Sequence, residues 1–180
     1  MKLRIISGSL RGRILQCPEK QLLFRPTLER TRKSIADMLQ PRISGSAVAD
    51  LCAGSGSFGF EMVSRGAVHV DFVENSRQCA ALIQDHAEKF GIAGQCRIIL
   101  KDVAGFVRSS TARYDIVFFD PPYEAEGMAP LVPLLLALLL PGGILLYQRR
   151  KNRGSEESEQ PFEKKTFGDT VVACYRSRNV

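Results

Sequence analysis

Paired cysteines, long apolar runs and a signal-peptide-like apolar core at the start are all missing from this sequence, and each absence argues against a class of function. The five cysteines (Cys17, Cys52, Cys79, Cys96, Cys174) are odd in number, scattered and never in a C-x-x-C pair, which argues against a disulfide framework and against a zinc site. A reducing cytoplasm is the expected compartment, and no metal is expected. The longest apolar run, residues 131–140, is interrupted by Pro133. It falls well short of the roughly 20 residues a helix needs to cross a bilayer, and it reads as a core-facing helix. The start, Met1-Lys2-Leu3-Arg4, lacks a signal-peptide apolar core. Internal repeats and low-complexity tracts are also absent. What remains is a globular composition, 44% hydrophobic and 24% charged over 180 residues, long enough to bury one full core.

Charge is distributed unevenly. Residues 1–42 carry ten Lys and Arg against three Asp and Glu, a net of +7, whereas residues 43–180 carry a net of −1. Such asymmetry is the footprint of a nucleic-acid binder with a neutral catalytic body. Two parts are therefore expected: a basic extension over residues 1–43 and a catalytic domain over residues 44–180.

In the extension, residues 4–8 and 12–15 read as a hairpin around Ser9-Leu10-Arg11 with arginines on its rim. A helix capped by Thr27 should follow and end near Pro41, with Ile35, Met38 and Leu39 buried and Arg30, Arg32 and Lys33 facing solvent. After Ser44-Gly45-Ser46, strands and helices alternate, which predicts a parallel sheet covered on both faces. Helix 76–90 places Cys79, Leu82, Ile83, His86, Ala87 and Phe90 on one stripe, so His86 is expected to pack in the core. Residues 149–160 are expected to form an exposed loop or short helix. Residues 162–167 and 170–176, around Gly168-Asp169, read as a closing hairpin that puts an antiparallel strand at the sheet edge.

The organising stretch is residues 115–123, an apolar strand stopped by Asp120-Pro121-Pro122-Tyr123. Both Asp120 and Pro121 precede a proline, so neither can begin a helix, and the strand end becomes a stiff loop bearing one carboxylate. Ligands of open α/β sheets sit outside the carboxyl ends of strands. Upstream, the strand ending Asp50-Leu51-Cys52 leads into Ala53-Gly54-Ser55-Gly56-Ser57-Phe58-Gly59, and Glu74 closes the next strand, twenty residues beyond Gly54. That acid is placed to accept from two ribose hydroxyls.

Gly54-x-Gly56-x-x-Gly59 matches the dinucleotide fingerprint, so an NAD-dependent oxidoreductase has to be weighed. Three features oppose it: the fingerprint is internal, no substrate domain has room, and a nicotinamide enzyme has no use for Asp-Pro-Pro-Tyr. Asp50, just before the turn, suits a cationic ligand instead. The ordered set (Asp50 with the glycine turn, Glu74, Asp102, then Asp120-Pro121-Pro122-Tyr123) resembles the class I S-adenosylmethionine-dependent methyltransferases. Arg4-Ile-Ile-Ser-Gly-Ser-Leu-Arg-Gly-Arg13 and Arg25-Pro-Thr-Leu-Glu-Arg-Thr-Arg32 are similar to the RsmD family of 16S rRNA guanine-N2 methyltransferases, and the resemblance covers nearly the whole chain. One departure lies after the fifth strand, where Gln148-Arg149-Arg150-Lys151 stand in place of acidic residues.

The resemblance implies a Rossmann-like fold: a mostly parallel seven-stranded sheet with helices on both faces and a small N-terminal hairpin and helix. It implies S-adenosylmethionine as cofactor and 16S rRNA as partner, within the small ribosomal subunit or an assembly intermediate. A monomer with no membrane association is expected. Asp50 would face the methionine amino group and the backbone of Cys52, Ala53, Gly54, Ser55 and Gly56 would wrap the cofactor. Glu74, with Asn75 beside it, would hold the ribose, while Asp102 and Val103 would meet the adenine; Asp102 could equally be a helix N-cap. Asp120, Pro121, Pro122 and Tyr123 would form the catalytic loop. Arg4, Arg11, Arg13, Arg25, Arg30 and Arg32 would neutralise phosphates. An adenine-N6 methyltransferase and a non-catalytic RNA-binding assembly factor remain as alternatives.

Overall fold

The computed structural model describes residues 2–17, 29–122, 128–151 and 159–177. A two-stranded hairpin, β1 (Lys2–Arg4) and β2 (Ile14–Gln16), comes first and is followed by helix α1 (Glu29–Ile43). Alternation then begins: β3 (Ala47–Leu51), α2 (Ser57–Ser64), β4 (His69–Glu74), α3 (Arg77–Lys89), β5 (Cys96–Leu100), α4 (Val103–Ser109) and β6 (Tyr114–Phe119). After α5 (Val132–Leu136) come β7 (Leu139–Arg150), β8 (Glu163–Phe167) and β9 (Thr170–Arg176).

Seven strands form one sheet in the order β5-β4-β3-β6-β7-β9-β8. β3 to β7 are parallel, β9 runs antiparallel to β7, and β8 lies outermost on β9. This is the mostly parallel Rossmann-like architecture anticipated from the strand–helix alternation. The chain leaves β3 in one direction toward β4 and reaches β6 on its other side, so the order reverses at β3, opening a crevice between the β3 and β6 carboxyl ends.

Burial follows strand parity. Val48, Val70, Phe72, Ile116, Phe118, Ile144 and Leu146 share one core with Ile35 and Leu39 of α1, Phe58 and Phe60 of α2, and Ile83 and Ala87 of α3. Ala49, Leu51, Val73, Val117, Phe119 and Leu145 face the other way, onto Phe106 of α4 and Val132 and Leu135 of α5. Ile5, Leu10 and Leu15 belong to the first of these cores.

Several boundaries differ from the expectation. Helix α1 passes through Pro41 to Ile43. A proline in the last turn forfeits one backbone bond, but Ile43 is fully buried, and sinking that side chain stabilises the extra turn by about 1.5–3 kcal/mol. Thr27 lies outside the described residues. Arg32 does not face solvent: only 1% of it is exposed, because it sits at i−3 from Ile35 and i−7 from Leu39, on the same stripe. Leu139 and Leu140 belong to strand β7 rather than to a helix, since Leu139 pairs with Tyr114 ahead of a register shift. Gly142 (φ 77°) turns that shift, and a Cβ on Gly143 would come within 3.0 Å of the Tyr114 carbonyl oxygen. Arg149 and Arg150, expected in an exposed loop or short helix, extend β7.

Candidate active site

Three carboxylates converge because of register. Asp50 pairs with Phe72 of β4 and Phe118 of β6. Glu74 and Asp120 each lie two residues beyond those partners, and side chains two apart share a sheet face. All three therefore point to the α1–α3 side, at the carboxyl ends of neighbouring strands about 4.8 Å apart. The Asp120 N–H continues the ladder to the Leu51 carbonyl at 3.3 Å.

The glycine turn is built for close approach. Cys52 (φ 61°), Gly54 (φ 56°) and Gly56 (φ 70°) are all left-handed, Cys52 being the non-glycine among them. A non-glycine residue at such an angle costs about 1–3 kcal/mol and persists only where its surroundings hold it. Here they do: Ala53 N–H donates to the Val73 carbonyl (3.1 Å), Gly56 N–H to the Ala53 carbonyl (2.7 Å) and Gly54 N–H to Glu74 Oε2 (2.7 Å). The other Glu74 oxygen accepts from Ser76 N–H at 2.8 Å. Glu74 thus clamps the turn to the start of α3, with Asn75 exposed beside it.

Asp50 is buried, and one of its oxygens accepts the Gly59 N–H at 2.9 Å. Burial first, then the charges of Asp120 and Glu74, raise its carboxyl to about 8, with the single backbone bond from Gly59 offsetting part of the rise. The Cys52 thiol is likewise pushed far up, first by burial and then by Glu74, Asp120 and Asp50. It stays a neutral lining group. Among the described residues, no Lys or Arg forms an ion pair with Asp50 or Glu74. Acidic side chains gathered at these strand ends, with Asp50 able to give up its proton beside a cation, favour a positive ligand over a pyrophosphate, which a dinucleotide site must instead meet with helix N–H groups and positive potential. That electrostatic sign disfavours the oxidoreductase reading.

Asp102 caps α4, its Oδ1 accepting from Gly105 N–H at 2.8 Å. Val103, largely buried, opens that helix, so its N–H has no intrahelical acceptor. Beneath Asp120, Phe58 stacks on Phe118 at 3.9 Å between centroids. Pro121 is buried and Pro122 exposed; Tyr123 lies outside the described residues. Sequence reading did not find Cys17 beside this turn, its thiol pushed up by burial and drawn partly back by the neighbouring Ser55 hydroxyl. Nothing in the local sequence marks that contact.

The basic residues separate. Arg4, Arg11, Arg13 and Arg30 are exposed, and Arg25 falls outside the described residues. Arg32 instead donates from Nη2 to the Arg4 carbonyl at 2.7 Å, which makes it a brace for the hairpin rather than a surface cation. The hairpin is bolted to α2: Ile6 and Ser7 N–H groups donate to Glu61 (2.8 and 3.1 Å), and Ser9 N–H donates to the Ser64 carbonyl (2.8 Å). His86, buried in the core, accepts the Gln16 N–H at 3.0 Å.

The family model described as Conserved hypothetical protein 95 matches residues 3–176. Ribosomal RNA small subunit methyltransferase D of Escherichia coli is 31% identical over 134 residues, covering 74% of this chain and 67% of the relative. The chain belongs to this methyltransferase D family. A solved hypothetical protein of Thermus thermophilus, 27% identical, superposes with a TM-score of 0.83 over 99% of both chains. An RNA methyltransferase from Salinibacter ruber, solved with S-adenosyl-L-homocysteine, shares the fold at 14% identity (TM-score 0.66, covering 85% of this chain and 94% of that one).

Proposed function

We propose that this chain transfers a methyl group from S-adenosylmethionine to the exocyclic N2 of a guanine in 16S rRNA. The observation that carries the reading is the shared orientation of Asp50, Glu74 and Asp120 around the left-handed glycine turn. A ligand bearing both an ammonium and a sulfonium fits that set. Asp50 would hold the ammonium, Cys52 to Gly56 would line the chain, Glu74 with Asn75 the ribose, and Asp102 with Val103 the adenine. When bound, S-adenosylmethionine supplies a methyl group on a sulfur that departs as a neutral thioether.

The acceptor nitrogen is a poor nucleophile because its lone pair is delocalised into the base. Asp120 and the Pro121 carbonyl would accept its two N–H bonds and favour a pyramidal nitrogen. Its lone pair then forms the new N–C bond, and one N–H proton leaves through Asp120 toward solvent. Holding the reactants in line supplies much of the remainder, since effective molarities can reach about 10⁵–10⁸ M. Tyr123 would stack on the base, which has to be unpaired or drawn out of its helix.

Labelled methyl transfer to small-subunit rRNA, followed by base mapping, tests the assignment. 2-Methylguanine is the expected product. N6-methyladenine would redirect the acceptor, and an unlabelled RNA would leave only a binding protein.

Cofactor affinity should depend on pH. In the ligand-free protein Asp50 keeps its proton up to about 8; a cation beside it lowers that value, so binding expels a proton below pH 8. Affinity should therefore rise with pH by about tenfold per unit on approach to 8 and flatten above it. Calorimetry in buffers of different ionisation enthalpy reads the proton release directly, and Asp50→Asn should abolish it. A flat profile in the parent protein would remove the ammonium-binding role.

Arg11 and Arg13 would contact RNA at a distance from the reacting base. Neutralising both should flatten the salt dependence of RNA binding by about 0.7 in log–log slope per lost contact for single strands, measured by filter binding. An unaltered slope would reject the hairpin as an RNA face.

A further inference from the structure

The hairpin tip cannot serve the reacting nucleotide at close range. Leu10 N–H donates to Ser64 Oγ at 2.9 Å, at the last residue of α2, and the Arg13 guanidinium lies 5.7 Å over the Phe90 ring, just past the end of α3. Both helices start at the carboxylate hollow and run away from it. The eight residues of α2 put the tip about 12 Å down the flank. The hollow itself is acidic and repels phosphate. An RNA strand entering it needs cations nearer its mouth.

β7 supplies them. Tyr147 pairs with Phe119, the last residue of β6, so Gln148, Arg149 and Arg150 overshoot the neighbouring strand by about 10 Å, with Lys151 next. This end is held firmly: Arg150 pairs with Thr170, and the Lys151 N–H donates to the Asp169 carbonyl at 2.8 Å. Arg150 has the parity of Leu146, which faces the α1–α3 side, the side onto which the three carboxylates point. Helix α1 ends at the foot of β7, where Arg42 Nη1 donates to the Gly142 carbonyl (3.2 Å), and its start lies against the hairpin, where Arg32 Nη2 donates to the Arg4 carbonyl. Arg30, twelve residues back along α1, stands about 18 Å from that foot. Arg30, Arg150 and Lys151 are all exposed.

We propose that Arg150 and Lys151, at the protruding end of β7, form with Arg30 a basic rim that grips the RNA phosphates flanking the target nucleotide and sets its base against Asp120. The inference rests on the RNA-methyltransferase reading above. It assigns the proximal RNA contact to the far end of the sequence, beside the catalytic loop, and leaves the hairpin tip a distal one.

The test uses the full chain with Arg150→Ala/Lys151→Ala and a small-subunit rRNA transcript, with filter binding across a salt series. The log–log slope should fall by about 1.4, two contacts at about 0.7 each, and the RNA KM should rise. S-adenosylmethionine affinity and melting temperature should hold at parental values, which separates a lost contact from a misfolded strand. Arg108→Ala/Arg113→Ala removes the same charge from exposed positions near the opposite ends of the strands and should leave the slope unchanged. A parental slope in the rim variant, or an equal loss in the control pair, overturns the proposal. If the parent protein transfers no methyl group but the rim variant still loses its slope, the activity reading fails and the rim stands.

Discussion

Replacing Asp120 with alanine is expected to cut methyl-transfer turnover by about 10²–10³-fold or more while the protein still binds S-adenosylmethionine, the scale set by removing one placed hydrogen-bonding group that stabilises a transition state. Asp120 stands on the face of β6 shared with Phe118 and is fixed by its N–H bond to Leu51. Pro121 and Pro122 hold the loop extended. The carboxylate is therefore positioned before any substrate arrives, and no reorganisation is needed as charge develops on the acceptor nitrogen. Because Asp50 and Glu74 rather than Asp120 carry the proposed cofactor contacts, cofactor affinity should survive. Asp120→Asn, which keeps one acceptor oxygen, should lose less. Single-turnover rates with calorimetric cofactor binding distinguish these outcomes, and unchanged turnover in Asp120→Ala would remove the proposed mechanism.

Glu61→Ala should produce the largest loss of stability outside the site. Its side chain is fully buried in the middle of α2. It accepts from the Ile6 and Ser7 N–H groups and from Arg65 Nε at 2.8 Å. Truncation strands two backbone donors and takes one of three partners from the Arg65 guanidinium, which keeps Asp37 and Gln40, and removing one side of a buried pair costs about 3–5 kcal/mol. For a domain of this size that corresponds to a fall in melting temperature of roughly 6–20 °C. Hairpin amides should lose hydrogen-exchange protection first, since Glu61 is their anchor. A melting temperature within a degree or two of the parent would show that the hairpin is held by the packing of Ile5, Leu10 and Leu15 instead.

Local chemistry made much of this protein legible. Glycines before a helix, a proline pair after an apolar strand and an acid ending β4 are short-range signals, and strand–helix alternation carries the Rossmann-like sheet with them. Where sequence reading misplaced a residue, long-range packing had overruled a local rule. Pro41 is a helix terminator on local grounds, but Ile43 is drawn into the core and keeps the helix going. Arg32 is a surface residue by type; its position on the Ile35–Leu39 stripe buries it under the hairpin. The leucine run over residues 139–140 is helical by composition, yet pairing with Tyr114 makes it strand.

From the sequence alone, then, came the sheet class, the glycine turn, the loop carboxylate and the family resemblance, because each depends on residues a few positions apart. Only the folded chain decided that Asp50, Glu74 and Asp120 share one side of the sheet, that Arg32 is internal, and that the end of β7 stands beside the mouth of the site. Those facts depend on strand register and on which helix covers which face, and both are set by contacts between residues up to a hundred positions apart.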